Sequence, residues 1–144
     1  MKATAKKLNV LILPDLFPKD EQDWVGIFVV DYINAILPTC NPWVFYSRLV
    51  GAHSTIEETD FSNQFKVYRW NYKQQIKAVL KPLYYLLWFG KTVSKIRSLN
   101  KEIDIIHAHG AILNGTVAYL LSKRLKVPYV ISEHTGPFKI APCA

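Results

Sequence analysis

Short apolar runs alternate with longer amphipathic stretches along this chain, and that alternation restricts the fold more than any other feature of the sequence. Five runs have the length and composition of strands: LNVLIL (8–13), WVFYSRLV (43–50), FKVYRW (65–70), IDIIHAH (103–109) and PYVIS (128–132). Runs that are apolar throughout, such as the first, are expected in strands buried on both faces of a parallel sheet. Between the second and third runs the sequence predicts a polar loop, which contains His53 and three acidic residues.

Three helical patterns lie between these strands. In the first, apolar residues from Val25 to Leu37 recur at spacings of three and one, with Asp23 as a candidate N-cap. The second covers residues 76–99 and the third residues 113–125. Strands that alternate with helices form βαβ units with right-handed crossovers. We therefore predict an α/β fold with a Rossmann-like, doubly wound, mainly parallel sheet.

The length and the cysteine content set the class of protein. With 144 residues, of which 50% are hydrophobic, the chain is expected to form a single packed domain over residues 1–144. Cys40 and Cys143 form neither a CxxC motif nor a spacing with histidine that suits zinc. The longest apolar stretch, residues 83–89, is far shorter than the about 20 residues of a membrane-spanning helix. We predict a cytoplasmic protein, with peripheral attachment to the inner face of the membrane left open.

The net positive charge is concentrated in one segment. The net charge is +7, and residues 61–101 contain nine basic and no acidic side chains. Helical spacing places lysines and aromatic residues of this segment on one face: Lys77, Lys81, Tyr84, Trp88, Lys91 and Lys95. Such a face suits an anionic membrane surface. The alternative is a solvated basic face whose aromatic residues a neighbouring loop covers. No nucleic-acid-binding motif accompanies it, so nucleic acid is not an expected partner.

Histidines mark the ends of two predicted strands. His109 and Gly110 end the fourth strand, and Glu133 and His134 follow the fifth. Ligands of open α/β sheets bind at the carboxyl ends of the strands, so we expect both histidines to face one crevice. His134 is the strongest candidate for chemistry, because an imidazole can donate to a hydroxyl or phosphate, or accept a proton near neutral pH.

Other candidate residues have simpler explanations beside the functional one. His107 is expected to be a buried core histidine, and a metal site built from the three histidines has no further ligand spacing to support it. Gly26, near the start of the first helix, either lets a ligand approach the backbone or allows close packing. The chain has neither GxGxxG nor GxxxxGK[ST], which argues against a dinucleotide-dependent oxidoreductase.

Two stretches resemble family-four glycosyltransferases of the GT-B fold. VLILPDLFPKDEQDWVGIFVVDYINAI (10–36) is similar to their first strand, Pro-rich loop and first helix. DIIHAHGAILNGTVAYLLSKRLKVPYVISEHTG (104–136) is similar to a later segment of their N-terminal domain: a strand, an HAHG turn, a helix and a strand that ends in EH. The glycine pair common in the family's first loop is represented here by Gly26 alone.

The resemblance implies the acceptor-side half of a GT-B fold, in a retaining transferase that uses a nucleotide sugar and a glycan or lipid-linked acceptor in cell-envelope polysaccharide assembly. It implies no metal or other cofactor. By position, Gly26 would lie beneath the donor phosphates, His134 beside the reacting centre, and His109, with Gly110 and Glu133, along the substrate cleft. Because the family's nucleotide-sugar domain is missing from these residues, the chain alone is expected to be inactive. The alternative is a non-catalytic module of a split transferase that docks on a membrane or partner.

Overall fold

The computed structural model of the chain describes residues 6–49, 55–72 and 81–134. Its elements are β1 (Leu8–Pro14), α1 (Ile27–Ile36), β2 (Cys40–Leu49), β3 (Thr55–Phe61), β4 (Phe65–Tyr72), α2 (Lys81–Leu99), β5 (Ile105–His109), α3 (Leu113–Leu125) and β6 (Tyr129–Ser132). The strands form one sheet in the order β3-β4-β2-β1-β5-β6. Of these described strands, only β3 is antiparallel to its neighbour. The predicted α/β fold with a mainly parallel, Rossmann-like sheet is confirmed.

The central strand β1 is buried on both faces, which explains its continuous apolar run. Leu11 and Leu13 belong to the cluster that packs on α2 and α3, while Val10 and Ile12 belong to the cluster on the α1 side. All four side chains are almost completely buried. Since successive side chains of a strand point to opposite faces, an apolar residue is needed at every position.

Helices cover both faces of the sheet, as a doubly wound fold requires. On one face, Val29 and Ile33 of α1 pack on the sheet. On the other, α2 and α3 pack over an aromatic core in which the Trp70 and Trp88 rings are nearly parallel, with centroids 5.5 Å apart. Leu13 of β1 and Ala108 of β5 belong to the same cluster and lie next to the strand ends that carry the candidate site.

The predicted polar loop between the second and third strands is wrong, because residues Thr55–Phe61 form the edge strand β3. Six of its seven residues are exposed, so the strand has no apolar alternation by which it could be recognised. Glu58 accepts hydrogen bonds from Lys66 and Lys95, and such charged side chains protect an edge strand from pairing with other chains. His53 lies outside the described residues.

The first helix begins later than predicted. Its N-cap is Gly26, which has a left-handed backbone with a φ of 77°. The Asp23 carboxylate instead accepts hydrogen bonds from the backbone N–H groups of Lys19 and Val25. The expectation that Asp23 caps the helix is therefore wrong, and this residue shapes the loop before the helix.

The predicted exposure of the two aromatic residues on the lysine face of α2 is wrong. The alternative, that these residues are covered, is confirmed, although Trp70 of the sheet and not a loop covers them. Trp88 is 1% exposed and Tyr84 is 6% exposed, and the Tyr84 hydroxyl donates to Ser47 Oγ at 2.8 Å. Burial of large aromatic side chains stabilises the fold more than surface contact would, so the helix turns this face to the sheet. Lys95 lies 4.6 Å from the centre of the Tyr68 ring.

The outward face of α2 combines three leucines with one lysine of the predicted face. Leu83, Leu86 and Leu87 are 54%, 59% and 50% exposed, and Lys91 is exposed one turn further on. Residues 76–80 of the predicted helix, with Lys77, lie outside the described part of the chain. No helix within the described ranges is both long and apolar enough to cross a lipid bilayer.

Candidate functional site

Three neighbouring strands end side by side and form the candidate site. Pro14 of β1 is in register with His109 of β5, which is in register with Ser132 of β6. The backbone continues this alignment beyond the strands, because Asp15 N–H donates to the carbonyl oxygen of His109 at 3.1 Å and Gly110 N–H donates to that of Ser132 at 2.8 Å. The residues that follow each strand are therefore brought together at one edge of the sheet.

A cleft of about 100 Å³ opens at this edge, and we call it the edge cleft. Its lining residues are Asp15, Leu16, Phe28, His109, Gly110, Glu133 and His134. Four residues predicted from the sequence, His109, Gly110, Glu133 and His134, thus meet in one place. Gly26 lies directly against the backbone of Leu16, so the first loop reaches the same edge.

His107, His109 and His134 form a connected histidine cluster beside the edge cleft. His109 Nδ1 lies 2.9 Å from His134 Nε2. His107 Nε2 lies 2.8 Å from Ser132 Oγ, and the His107 ring meets Tyr32 of α1 edge-on with centroids 4.7 Å apart. His107 is 5% exposed, as predicted for a core histidine, whereas His134 is exposed to solvent.

Burial keeps the two inner histidines neutral. Loss of hydration, together with the neighbouring His107 and His134, lowers the pKa of His109 from 6.5 to about 3. Burial, reinforced by His134, likewise lowers the pKa of His107. At neutral pH each ring therefore carries one hydrogen, so each offers one donor and one acceptor nitrogen.

Two carboxylates line the same edge cleft. Partial burial of its carboxyl group and the nearby charge of Glu133 raise the pKa of Asp15 from 3.8 to about 6, against a lowering effect of the hydrogen bond from Asn114. That bond runs from Asn114 Nδ2 to Asp15 Oδ1 at 2.6 Å, and Asn114 Oδ1 in turn accepts a hydrogen bond from Trp88 Nε1 at 3.2 Å. Glu133 accepts from the backbone N–H groups of Ala111 and His134.

The glycine positions follow from close packing as well as from backbone conformation. Gly110 has a φ of 98°, and a Cβ at this position would overlap the Asp15 carboxylate. A Cβ at Gly26 would lie 2.6 Å from the carbonyl carbon of Leu16. Gly110 therefore lets the segments that follow β5 and β1 meet, and Gly26 lets the start of α1 pack on the segment that follows β1. For Gly26 this supports the packing explanation, while its contact with a donor phosphate stays a prediction.

Sequence reasoning missed three residues of this edge: Asp15, Phe28 and Tyr32. The rings of Phe28 and His134 lie 4.5 Å apart between centroids, and those of Tyr32 and His109 lie 5.5 Å apart. Asp15 directly follows a strand, so the rule that selected His134 also selects Asp15. The two aromatic residues gave no such signal, because their spacing places them on the apolar face of α1.

The edge cleft thus offers imidazoles and carboxylates. In the described ranges, no group of three or more His, Cys, Asp or Glu side chains is arranged to hold a metal ion. Groups of this kind can donate to and accept from hydroxyl groups, whereas a phosphate would meet the two carboxylates Asp15 and Glu133.

Comparison with known proteins adds no family to this description. No protein-family model matches the chain, and no curated protein matches it. What it does must therefore be argued from the edge cleft and from the resemblance of the two sequence stretches.

Proposed function

We propose that this chain is the acceptor-binding N-terminal domain of a retaining glycosyltransferase, which transfers a sugar from a nucleotide sugar to a glycan or glycolipid acceptor. The observation that carries the proposal is the convergence of the Gly26 loop, His109 and His134 at the carboxyl edge of a Rossmann-like sheet. Ligands of this fold class bind at that edge. The same residues carry the resemblance to family-four transferases.

The charge of the edge cleft supports the assignment to the acceptor side. Asp15 and Glu133 are close enough for the charge of one to raise the pKa of the other. A diphosphate at this point would be repelled, whereas a neutral hydroxyl group can donate to a carboxylate and accept from an imidazole. The donor diphosphate would instead be held by the nucleotide-sugar domain of the complete enzyme, and its electrostatic stabilisation there would provide most of the catalysis.

The size of the edge cleft supports a shared site. Ligand pockets of enzymes usually measure about 300–1,000 Å³, and this cleft measures about 100 Å³. It has room for a few hydroxyl groups but not for a whole nucleotide sugar. The proposal therefore has this chain form one wall of the site and a second domain form the other.

Binding can be tested without turnover. The ¹⁵N-labelled chain is titrated with neutral methyl glycosides and with nucleotide sugars at millimolar concentration, and backbone amide shifts are recorded. We expect the glycosides to shift the amides of Phe28, Gly110, Ala111 and His134. His134→Ala should abolish these shifts, and the matched control Lys101→Ala should preserve them, because Lys101 is exposed and contacts the Trp43 ring instead.

Two outcomes would contradict the proposal. In the first, none of the ligands shifts the amides of these four residues. In the second, the glycosides shift only the amide signals of residues around Asn9, Asn41 and Lys66, which line a separate cleft. A transfer assay on the chain joined to a nucleotide-sugar domain adds turnover, which His134→Ala should lower strongly while the unfolding midpoint stays within a few degrees.

A second candidate function is a module that docks on an anionic membrane. The observation that favours it is the outward face of α2, where Leu83, Leu86 and Leu87 are half-exposed and Lys91 follows. Leucines next to basic side chains suit the boundary between lipid headgroups and acyl chains. The segment of residues 61–101, which includes this helix, has nine basic and no acidic residues.

Vesicle co-sedimentation separates this candidate from the first. Replacement of the three leucines by serine should abolish sedimentation with anionic vesicles. Leu8→Ser with Ile56→Ser, which removes exposed apolar side chains elsewhere, should leave it unchanged. Equal sedimentation of all variants, or none for the wild type, would exclude the membrane as the surface that this helix contacts.

A further inference from the structure

The hydrogen bond between His109 and His134 leaves one ring nitrogen of His134 available to a ligand. Their rings are nearly parallel, with an interplanar angle of 10° and centroids 5.1 Å apart. Rings stacked face to face keep their atoms about 3.5 Å apart, yet Nδ1 of His109 lies 2.9 Å from Nε2 of His134. The rings therefore lie edge to edge, and one hydrogen lies between these two nitrogens.

The surroundings of His109 decide which nitrogen holds that hydrogen. His109 is 3% exposed, and its Nε2 has no hydrogen-bond partner among the described residues. A hydrogen on this Nε2 would be a buried donor without an acceptor. Buried donors without partners are rarer in proteins than acceptors that are not fully used. The neutral ring therefore places its hydrogen on Nδ1, and the unpaired atom is a lone pair.

We propose that His109 is a positioning residue, whose Nδ1–H donates to His134 Nε2 and thereby fixes neutral His134 as the Nδ1–H tautomer. The tautomer of a histidine is set by the hydrogen bond that its other nitrogen makes. A free neutral imidazole side chain prefers the Nε2–H form, so His109 reverses this preference. The lone pair of His134 Nε2 accepts the hydrogen bond from His109 and is not available to a ligand.

The consequence for the edge cleft is that neutral His134 offers a donor and not a base. Its Nδ1–H is the one ring hydrogen left for a ligand, so the ligand atom at this point must be an oxygen with a free lone pair. A hydroxyl group satisfies this donor, and it can also donate to Asp15 or Glu133, the carboxylates that line the same cleft. The identity of that ligand rests on the proposed function, but the tautomer does not.

Histidine tautomers can be read directly from ¹⁵N chemical shifts and long-range ¹H–¹⁵N couplings. The chain has four histidines, so a sample labelled only in histidine gives a spectrum that can be assigned, with His134→Gln to identify the His134 signals. The spectrum is recorded without ligand at about pH 8, above the ordinary pKa of histidine. We expect His134 to have the Nδ1–H form as its majority tautomer.

Two variants of His109 test the cause. His109→Leu removes the donor, so the Nε2–H form of His134 should become the majority. His109→Asn keeps an N–H donor near the position of Nδ1 and should restore the Nδ1–H form. The control His107→Gln, in the same histidine cluster but hydrogen-bonded to Ser132, should leave the His134 tautomer unchanged.

Two results would overturn the proposal: a wild-type His134 with the Nε2–H form as its majority, or a His109→Leu protein whose His134 tautomer is unchanged. If His109→Leu does not fold, the wild-type spectrum alone decides. Because no ligand is present, failure of glycoside binding would reject the proposed function and leave the tautomer assignment intact.

Discussion

The two faces of the sheet differ in how their buried polar groups are satisfied. On the face covered by α2 and α3, Trp88, Asn114 and Asp15 form a continuous chain of hydrogen bonds. On the face covered by α1, the described residues include four buried nitrogen or oxygen atoms without a hydrogen-bond partner. These atoms are Arg69 Nε, Asn71 Oδ1, His107 Nδ1 and His109 Nε2.

The two faces also differ in the helices that cover them. Among the described residues, the first face carries helices of 19 and 13 residues, and the second carries one helix of ten residues. Buried polar atoms without partners destabilise a fold, so their concentration on one face needs a reason. Two of the four belong to the histidine cluster at the edge cleft. Both faces bury an apolar cluster, but the α1 face also contains unpaired polar atoms, which lower its contribution to stability.

The largest effect that sharpens this comparison is expected from Trp88→Ala. The change removes a side chain that is stacked on Trp70 and leaves a cavity, so the free energy of unfolding should fall by about 3–5 kcal/mol. Denaturant unfolding measures the loss. Leu87→Ala is the control on the same helix, and it should cost well under half as much, because Leu87 is half-exposed. Equal costs would remove the stabilising role from this face.

The next effect concerns the acid stability of the α1 face. The pKa of His109 is about 3 when folded and 6.5 ordinarily, so the unfolded chain binds more protons between these values. The contribution of His109 to the free energy of unfolding is therefore fully present above pH 6.5. It decreases as the pH falls toward 3, by about 2 kcal/mol at about pH 5. His109→Asn should remove this contribution. Urea unfolding at several pH values checks it, and identical pH slopes for variant and wild type would contradict it.

The smallest effect has the opposite sign and comes from Asp15. Its pKa is raised to about 6 from 3.8, so the folded chain binds more protons, and its contribution to stability decreases as the pH rises from about 4 to 6. The residue is exposed on one side, so solvent screening reduces the change to roughly 1 kcal/mol. Asp15→Asn should abolish this slope in the same unfolding series. A slope that persists in Asp15→Asn would assign it to another group.

Much of the fold could be predicted because most strands are buried on two faces. The run of β1 and the bounds of α3 follow from apolar patterning alone. The strand β3 could not be predicted, since an exposed edge strand needs no apolar pattern. The orientation of α2 could not be predicted either, because tyrosine and tryptophan suit both a membrane boundary and a core.

The candidate site could be predicted only in part. The position of His109 and His134 follows from the rule that function lies at strand ends. Their hydrogen bond does not, because it depends on the register between β5 and β6 and joins residues 25 positions apart. The sequence did not single out Asp15 as a site residue, because a proline followed by an aspartate is also an ordinary turn signal.

The hydrogen bonds from Trp88 through Asn114 to Asp15 connect the position of a helix to the charge of a cleft. If α2 moves so that the Trp88 bond breaks, the Asn114 amide is free to turn, and Asp15 loses the donor that favours its ionised form. The position of α2 and the protonation of Asp15 are then coupled, because the loss of the Trp88 bond favours proton uptake by Asp15. A partner that displaced α2 enough to break the Trp88 bond would therefore raise the pKa of Asp15, and a ligand that favoured ionised Asp15 would favour the helix in its present position.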